Sequence, residues 1–379
     1  MRFIQSARDI CERYHPGLIK ALEDIPYLER EARDSPVIEL FRAHDGPGLL
    51  VPREYGGHGA GALDALLVQA ALGSYSPSLA AASTMHHFTA AMRYSLAEDA
   101  DRLTPAQLAL LNSVAPDRRL MASGWAEGRT QQNILVPSVT ASVTDGGYLL
   151  NGSKKPCSLS RSMRILTASI AVPQSDGEPV LALAMVEVPA EGLSVHPFWE
   201  NETLAAAQSD EVRLTDVFVP EELVVRTTAE DPGRLDDLQS AGFVWFEMLV
   251  TAGYLGAAAT LVERVLDRER GGVAERAALA MGIESAFALL EDVALSVAGG
   301  LDGEPAVAKV LVARYTVQKL LAEVTGQAME LLGGIDFIRS AEHSRLATAV
   351  RALDFHPPGR GAAAAPLLRW FTGDPLELS

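Results

Sequence analysis

The chain has 379 residues, of which 48% are hydrophobic, and its formal charge at pH 7 is −17. This hydrophobic content is sufficient for a folded core and excludes global disorder. The negative charge argues against a general binder of nucleic acids or anionic membranes, because such proteins bind through clustered Lys and Arg. Cys11 and Cys157 are the only cysteines, which excludes a disulfide framework and a cysteine zinc site and fits a reducing cytoplasm.

The N-terminal part of the chain predicts a block of helices. Its first residues carry scattered charges and no long apolar core, so they are not expected to be a signal peptide. Ser76 and Ser78, on either side of Pro77, are predicted helix caps. Apolar periodicity predicts helices at 3–22 with a break near Pro16, and at 37–43, 62–75, 78–96 and 105–114.

The pattern turns to β between about 120 and 223. Alternating or apolar runs are separated by Gly, Pro, Asn and Asp, as expected of antiparallel strands. The stretch Thr144-Asp145-Gly146-Gly147 predicts a hairpin turn, because Asp-Gly and Gly-Gly tolerate the positive φ that tight turns require. The polar stretch 226–235, which contains Pro232-Gly233, is the best candidate for a linker.

Helical periodicity returns after 235 and predicts helices at 236–269, 274–299, 304–332 and 340–354. The apolar stretch 242–262 contains Glu247 and several small residues, so it predicts a buried helix rather than a membrane span. We therefore predict an α+β fold that is mostly α. It would comprise an N-terminal all-α domain at 1–118, a central antiparallel β domain at 119–228 and a C-terminal four-helix bundle at 229–379.

Four short motifs, in this order along nearly the whole chain, resemble the acyl-CoA dehydrogenase superfamily. The stretch VPREYGGHG at 51–59 is similar to the family's P-E-x-Y-G-G-x-G loop. The segment 126–133 falls where the family has T-E-P-G-x-G-S-D, 148–154 is similar to Y-x-x-N-G-x-K, and 329–334 resembles x-Q-x-x-G-G. The resemblance implies the fold predicted above, with FAD bound between the β block and the C-terminal helices. It also implies a homodimer or homotetramer in which a neighbouring subunit helps to bind the cofactor.

The resemblance places three residues at the flavin ring. Ser158 occupies the place of the family's flavin-contacting Thr, and its hydroxyl can still donate a hydrogen bond. Ala126 and Gln132 stand where the family uses Thr and Ser, and Pro156 stands where many members place a Trp. The alternative for Ser158 is a simple loop cap.

Three further residues are implied to meet the rest of the cofactor. Arg270 resembles the Arg that contacts the pyrophosphate, and Gly333 and Gly334 match glycines that let the backbone approach the ADP part. Two plainer interpretations stay open. Arg270 is also typical of a solvated helix end, and the Gly333-Gly334 pair is also typical of a helix terminator.

The catalytic segment departs from the family. Members commonly carry a catalytic Glu in a late Y-E-G-T segment, whereas the corresponding stretch here, 355–359, reads Phe-His-Pro-Pro-Gly. Some members place the base on the first helix of the C-terminal block, where this chain has Glu247. Apolar neighbours would raise the pKa of this carboxyl towards a value useful for proton transfer, so Glu247 is the candidate base. The alternative is a buried structural ion pair between Glu247 and an Arg of another helix.

Three histidines are weaker candidates for proton transfer. His86 and His87 lie on a helix that faces the substrate cavity in this family, and simple packing is the more ordinary interpretation of both. His356 lies near the position of the missing Glu, although a loop histidine beside two prolines needs no catalytic role. The sequence has neither metal-ligand spacing nor a G-x-S-x-G nucleophile turn.

Three functions are compatible with these residues. The leading hypothesis is α,β-dehydrogenation of an acyl thioester, with CoA or a carrier protein as the carrier and Glu247 as base. The second is a flavin-dependent monooxygenase on the same fold, which needs no α-proton base and takes electrons from a partner such as a flavin reductase. The third is a catalytically silent homologue that acts by binding.

Overall fold

The computed structural model describes residues 1–97, 102–128, 136–174, 177, 179–226 and 237–378. Thirteen α-helices lie within these residues: α1 Arg2–Tyr14, α2 Leu18–Glu23, α3 Tyr27–Arg30, α4 Val37–Ala43, α5 Ala62–Tyr75, α6 Pro77–Ala97, α7 Pro105–Asn112, α8 Asp237–Asp267, α9 Val273–Ala298, α10 Gly303–Leu332, α11 Gly334–Arg339, α12 Ala341–Arg351 and α13 Arg360–Thr372. The strands are β1 Met121–Gly124, β2 Thr140–Thr144, β3 Gly147–Cys157, β4 Ile165–Val172, β5 Val180–Glu187, β6 Leu193–His196, β7 Asp210–Pro220 and β8 Val224–Arg226.

The N-terminal helices begin and end close to the predicted positions. The hydroxyl of Ser76 accepts a hydrogen bond from the backbone N–H of Leu79 at 3.1 Å, which confirms the predicted cap of α6. The buried carboxylate of Glu31 adds to this cap by accepting from the backbone N–H of Ser78 at 3.1 Å and from its hydroxyl at 2.6 Å. A buried carboxylate here is stabilised by the positive end of the helix dipole.

The strands form one sheet in the order β6-β7-β3-β2-β4-β5-β8, with β1 paired to β4. The hairpin between β2 and β3 turns at Thr144 and Gly147, as predicted. The predicted antiparallel pairing holds for most of the sheet and needs one correction, because β1 pairs with β4 in parallel and β2 also meets β4 in parallel. Period-2 patterning carries no information about strand direction, so the sequence could not predict these parallel pairs.

Helix α8 lies at the centre of the helical layers, between α5 and α6 on one side and α10 on the other. A Cβ atom on Gly73 of α5 would lie only 1.9 Å from the carbonyl oxygen of Gly253 of α8, so these two helices touch backbone to backbone. By length and composition, 239–267 could cross a membrane, but 89% of its apolar window is buried inside the protein. The prediction of a buried helix here is confirmed.

The hydrophobic core runs without interruption from the N-terminal helices through the sheet to the C-terminal helices. The domain bounds given above therefore stay a prediction, although helices, strands and helices succeed one another as expected. The sequence pattern did not predict α3, α11 or α13. Helix α13 lies in the tail after Phe355, where the run of alanines at 362–365 supplies high helix propensity despite the neighbouring Pro and Gly.

Candidate active site

A cleft opens between α6, the β1 and β3 ends of the sheet, and α8, with an empty volume of about 950 Å³ counted to its mouth. Its walls are mostly apolar and aromatic, which is typical of a site for a small molecule or cofactor. The lining residues are Met85, Phe88, Met92, Ser123, Trp125, Ala126, Pro156, Ser158, Gln239, Gly242, Phe243, Phe246, His356 and Pro357.

Two of the predicted flavin-ring residues, Ala126 and Ser158, lie on the wall of this cleft, and so does Pro156. The Ser158 hydroxyl is 2.9 Å from the hydroxyl of Ser209, so one of the two can donate to the other. The third predicted residue, Gln132, lies outside the described residues.

A buried ion pair fixes the frame behind Ala126. The Lys154 ammonium donates to Glu127 at 2.5 Å and to the Ser169 hydroxyl at 2.9 Å, and the carboxylate of Glu127 also accepts from the backbone N–H of Ser138. These residues belong to the motifs at 126–133 and 148–154, so the two motifs meet in space. Their conspicuous charges are structural and do not line the cleft.

Arg270, Gly333 and Gly334 come together elsewhere, and none of the three lines the cleft. A Cβ on Gly271 would lie 2.8 Å from Leu331, so the loop of Arg270 packs on the last turn of α10, just before Gly333. Arg270 and Gly334 are exposed. Five of the six predicted cofactor residues are described by the structure, and within one chain they form two separate groups. Ala126 and Ser158 line the cleft, whereas Arg270, Gly333 and Gly334 lie away from it.

Glu247 does not line the cleft, and its predicted role as a base is not supported by its position. Its carboxylate is fully buried and contacts Nη1 of Arg314, with 2.9 Å to Oε1 and 2.8 Å to Oε2. Burial raises the pKa of Glu247, and the adjacent Arg314 opposes that rise. The geometry is that of the structural ion pair between two helices, α8 and α10.

Arg314 also binds the loop that follows α12, here called the 353–358 loop. Its guanidinium donates to the carbonyl oxygens of Leu353 at 3.3 Å, His356 at 2.6 Å and Pro358 at 3.3 Å. The next residue, Tyr315, donates its hydroxyl to the Pro358 carbonyl at 2.8 Å. Two consecutive residues of α10 therefore hold this loop against the cleft by its backbone.

The 353–358 loop places His356 on the wall of the cleft. Its Nε2 atom lies 2.8 Å from the hydroxyl of the buried Tyr254 of α8, and its ring meets Phe246 edge to face at 5.8 Å. Burial, and to a smaller degree Arg314, lower the pKa of His356 to about 3, so the ring is neutral. The sequence analysis did not identify Arg314 or Tyr254 as residues of the site. The one available signal was the position of Arg314 within the apolar run VLVARY of α10, which indicates a buried charge that needs a partner.

The other candidate histidines are packed in the N-terminal helical layer. Nε2 of His86 lies 2.9 Å from the carbonyl of Pro47, and its Nδ1 accepts from the backbone N–H of Met121 at 3.0 Å. His87 is fully buried against Phe41, away from the cleft lining. Packing is therefore the role that the structure gives to both. Among the described residues, no group of three or more His, Cys, Asp or Glu side chains is arranged to hold a metal ion.

A comparison with curated proteins gives a full-length match. The chain is 58% identical over 378 residues to the isobutylamine N-hydroxylase of Streptomyces viridifaciens, and the alignment covers 100% of both chains. A scan against models of known protein families gave no match.

Solved structures with the same fold align along almost the whole chain. KijD3 in complex with FMN and dTDP-3-amino-2,3,6-trideoxy-4-keto-3-methyl-D-glucose has a TM-score of 0.83 at 20% identity, covering 97% of this chain and 94% of the other. XiaF from Streptomyces sp. in complex with FADH2 and glycerol has a TM-score of 0.80 at 18% identity, covering 99% and 98%. These likenesses confirm the predicted fold class.

Proposed function

The chain belongs to the protein family of the isobutylamine N-hydroxylase, and we propose from this that it is a flavin-dependent monooxygenase that hydroxylates the nitrogen of a small aliphatic amine. One observation carries the choice of reaction. His356 and Pro357 stand on the cleft wall where a dehydrogenase of this fold would present a carboxylate, and no Asp or Glu is among the described lining residues. Removal of a substrate α-proton has no base here, whereas oxygen transfer to an amine does not require one.

The residues of the cleft fit a flavin ring. The ring needs hydrogen-bond donors along one edge and apolar cover on its faces. Ser158 and the backbone around Ala126 would provide the donors, and Trp125 and Phe243 would provide apolar cover. When bound in its reduced form, the flavin supplies the electrons that activate O₂, so that one oxygen atom enters the substrate N–H bond and the other leaves as water.

We propose FAD as the cofactor, with its ADP part on the group formed by Arg270, Gly333 and Gly334. In this proposal a second copy of the chain brings that group to the cleft of the first, and a separate flavin reductase supplies the reducing equivalents. Exposed apolar side chains beside Gly334, at Ile335, Phe337 and Ile338, support a surface that another chain covers. FAD and FMN can be distinguished by equilibrium dialysis. Arg270→Ala is expected to weaken FAD binding at least tenfold and to leave FMN binding unchanged.

The chain's own residues then have distinct tasks. The apolar walls made by Met85, Phe88 and Met92 exclude water from the amine's alkyl group and select for small hydrocarbon substituents. The 353–358 loop forms a different part of the cleft wall, and Arg314 holds it through its backbone. Together these residues would keep water away from the amine and from the flavin ring.

The direct test is turnover of isobutylamine with purified protein, FAD, O₂ and a flavin reductase with NADH. The expected result is N-hydroxyisobutylamine, detected by mass spectrometry with one ¹⁸O atom from ¹⁸O₂. Formation of no hydroxylamine, together with anaerobic bleaching of bound flavin by an acyl thioester, would instead support dehydrogenation. Protein that binds no flavin would support the silent homologue.

A further inference from the structure

The polar groups on the wall of the cleft lack negative charge. The lining side chains that can hydrogen-bond are Ser123, Trp125, Ser158, Gln239 and His356, and none of them is an acid. A small aliphatic amine is mostly an ammonium ion in neutral water, because its pKa is close to that of lysine, about 10.4. Burying that ion requires a carboxylate or several acceptors in compensation. No carboxylate is present among the described lining residues, so the wall suits an uncharged amine better.

The hydrogen bond between Tyr254 and His356 determines which imidazole nitrogen carries the proton. The Tyr254 hydroxyl is buried, and Nε2 of His356 is its one hydrogen-bond partner among the described residues. A buried hydroxyl hydrogen without an acceptor is costly, so Tyr254 donates and Nε2 accepts. The proton of the neutral ring then resides on Nδ1, for which the described part of the chain offers no partner. His356 therefore offers the cleft an N–H donor.

The groups packed around His356 keep the ring neutral. Helix α8 contributes Tyr254 and Glu247, and helix α10 contributes Arg314 and Tyr315. The charge of Glu247 is matched by that of Arg314, whose guanidinium is 2.6 Å from the carbonyl oxygen of His356 itself. A positive charge on the imidazole would be repelled by this guanidinium, so the ring stays neutral. A neutral ring has no negative charge with which to pair an ammonium ion.

A second buried cation lies on α6, the helix that forms the opposite wall. Arg93 follows the lining residue Met92, is fully buried, and none of its three guanidinium nitrogens has a hydrogen-bond partner among the described residues. In a low-dielectric interior an uncompensated charge acts over a long distance. The sequence of α6 contains no Asp or Glu, so this helix contributes a buried positive charge and no negative charge that could pair with an ammonium ion.

We infer that the cleft binds its amine as the free base, and that His356 is the specificity-determining residue because its Nδ1–H donates a hydrogen bond that only a nitrogen with a lone pair can accept. The inference rests on the proposed N-hydroxylation. The ammonium ion loses its proton to bulk water before it binds, so no residue of the chain has to remove it. The selected form is also the reactive one, because only a nitrogen with a free lone pair can take up an oxygen atom.

The first test is the pH dependence of KM for isobutylamine between pH 6.5 and 8.5, at saturating FAD and O₂. The free-base fraction rises tenfold per pH unit below the amine's pKa, so KM is expected to fall about tenfold per unit. 2,2,2-Trifluoroethylamine, whose three β-fluorines make it largely free base throughout this range, is the control, and its KM should stay constant. A KM for isobutylamine that does not change with pH would overturn the inference. Absence of any hydroxylamine product would instead refute the proposed function.

The second test is a matched pair of variants, His356→Asp and His356→Asn. Arg314 and Tyr315 hold this loop through its backbone, so both variants keep their hydrogen bonds, and circular dichroism checks the fold. The Asp variant supplies the missing charge. Its KM for isobutylamine is expected to lose its pH dependence and to lie at least tenfold below that of the Asn variant at pH 6.5. The Asn variant should keep the tenfold slope. Equal slopes in the two variants would show that residue 356 does not face the amine.

Discussion

Replacing Arg314 with leucine tests how the 353–358 loop is held. The change leaves the fully buried carboxylate of Glu247 without its partner, and breaking such a pair costs about 3–5 kcal/mol. It also removes the donor to the carbonyl of His356 at 2.6 Å, which adds about 1–3 kcal/mol for an unsatisfied buried acceptor. Protonation of Glu247 in the variant, which burial favours, limits the first contribution. We therefore expect the free energy of unfolding to fall by at least about 3 kcal/mol.

Urea denaturation at pH 8, followed by circular dichroism, measures this loss. With an m value of about 3 kcal/mol per molar urea, the midpoint should fall by more than about 1 M. Arg42→Leu is the matched control, because Arg42 pairs with Glu39 on an exposed face and its loss should cost less than about 0.5 kcal/mol. The double variant Arg314→Leu with Glu247→Leu should recover at least half of the loss, since no buried charge then lacks a partner. A single variant as stable as the wild type, or a double variant no better than the single, would refute the reasoning.

Three further outcomes are expected. Gly73→Ala should lower the free energy of unfolding, measured by urea denaturation, by about 3 kcal/mol or more, because the new Cβ would lie 1.9 Å from a carbonyl oxygen. The control Gly326→Ala, at an exposed position of α10 with open space around it, should be neutral or stabilising by about 0.5–1 kcal/mol. Burial lowers the pKa of His15 and His86 from 6.5 to about 4. The unfolded chain therefore binds extra protons below pH 6.5, and stability should fall between pH 6.5 and 4 by up to about 1.4 kcal/mol per pH unit for each histidine; a Tm constant from pH 6.5 to 5 would contradict this. Burial raises the pKa of both cysteine thiols to about 12, so native protein should not react with a thiol reagent at pH 8, and two thiols should react after denaturation.

The sequence predicted most of the architecture because hydrophobic periodicity records which face of each element is buried. Helices α4 and α5 have the predicted bounds, and α6 and α8 differ from them by only one or two residues at each end. The direction of β1 could not be predicted, because alternation is the same for parallel and antiparallel pairs. Helix α13 was missed because the prolines and glycines of the tail outweighed its four consecutive alanines in the pattern.

The candidate site was predictable only in part. Ala126 and Ser158 were found because they closely follow β1 and β3 along the chain, next to segments that the sequence motifs mark. The role of Glu247 depended on a contact with Arg314, 67 positions away, and periodicity cannot show which buried charges meet. For the same reason the hydrogen bond of Tyr254 to His356, across 102 positions, had no signal in the sequence.

The glycine contact between α5 and α8 has a consequence for the cleft on the other side of the helix. With no side chains between the two backbones, α8 cannot turn about its own axis without driving a main-chain carbonyl into its neighbour. Packing against α5 therefore fixes the directions in which α8 presents Phe246, Glu247 and Tyr254, although no described residue of α5 lines the cleft. The contact between α5 and α8 therefore sets the shape of the cleft from outside it. A single methyl group added at Gly73 would shift α8 and displace the side chains that it contributes to the site.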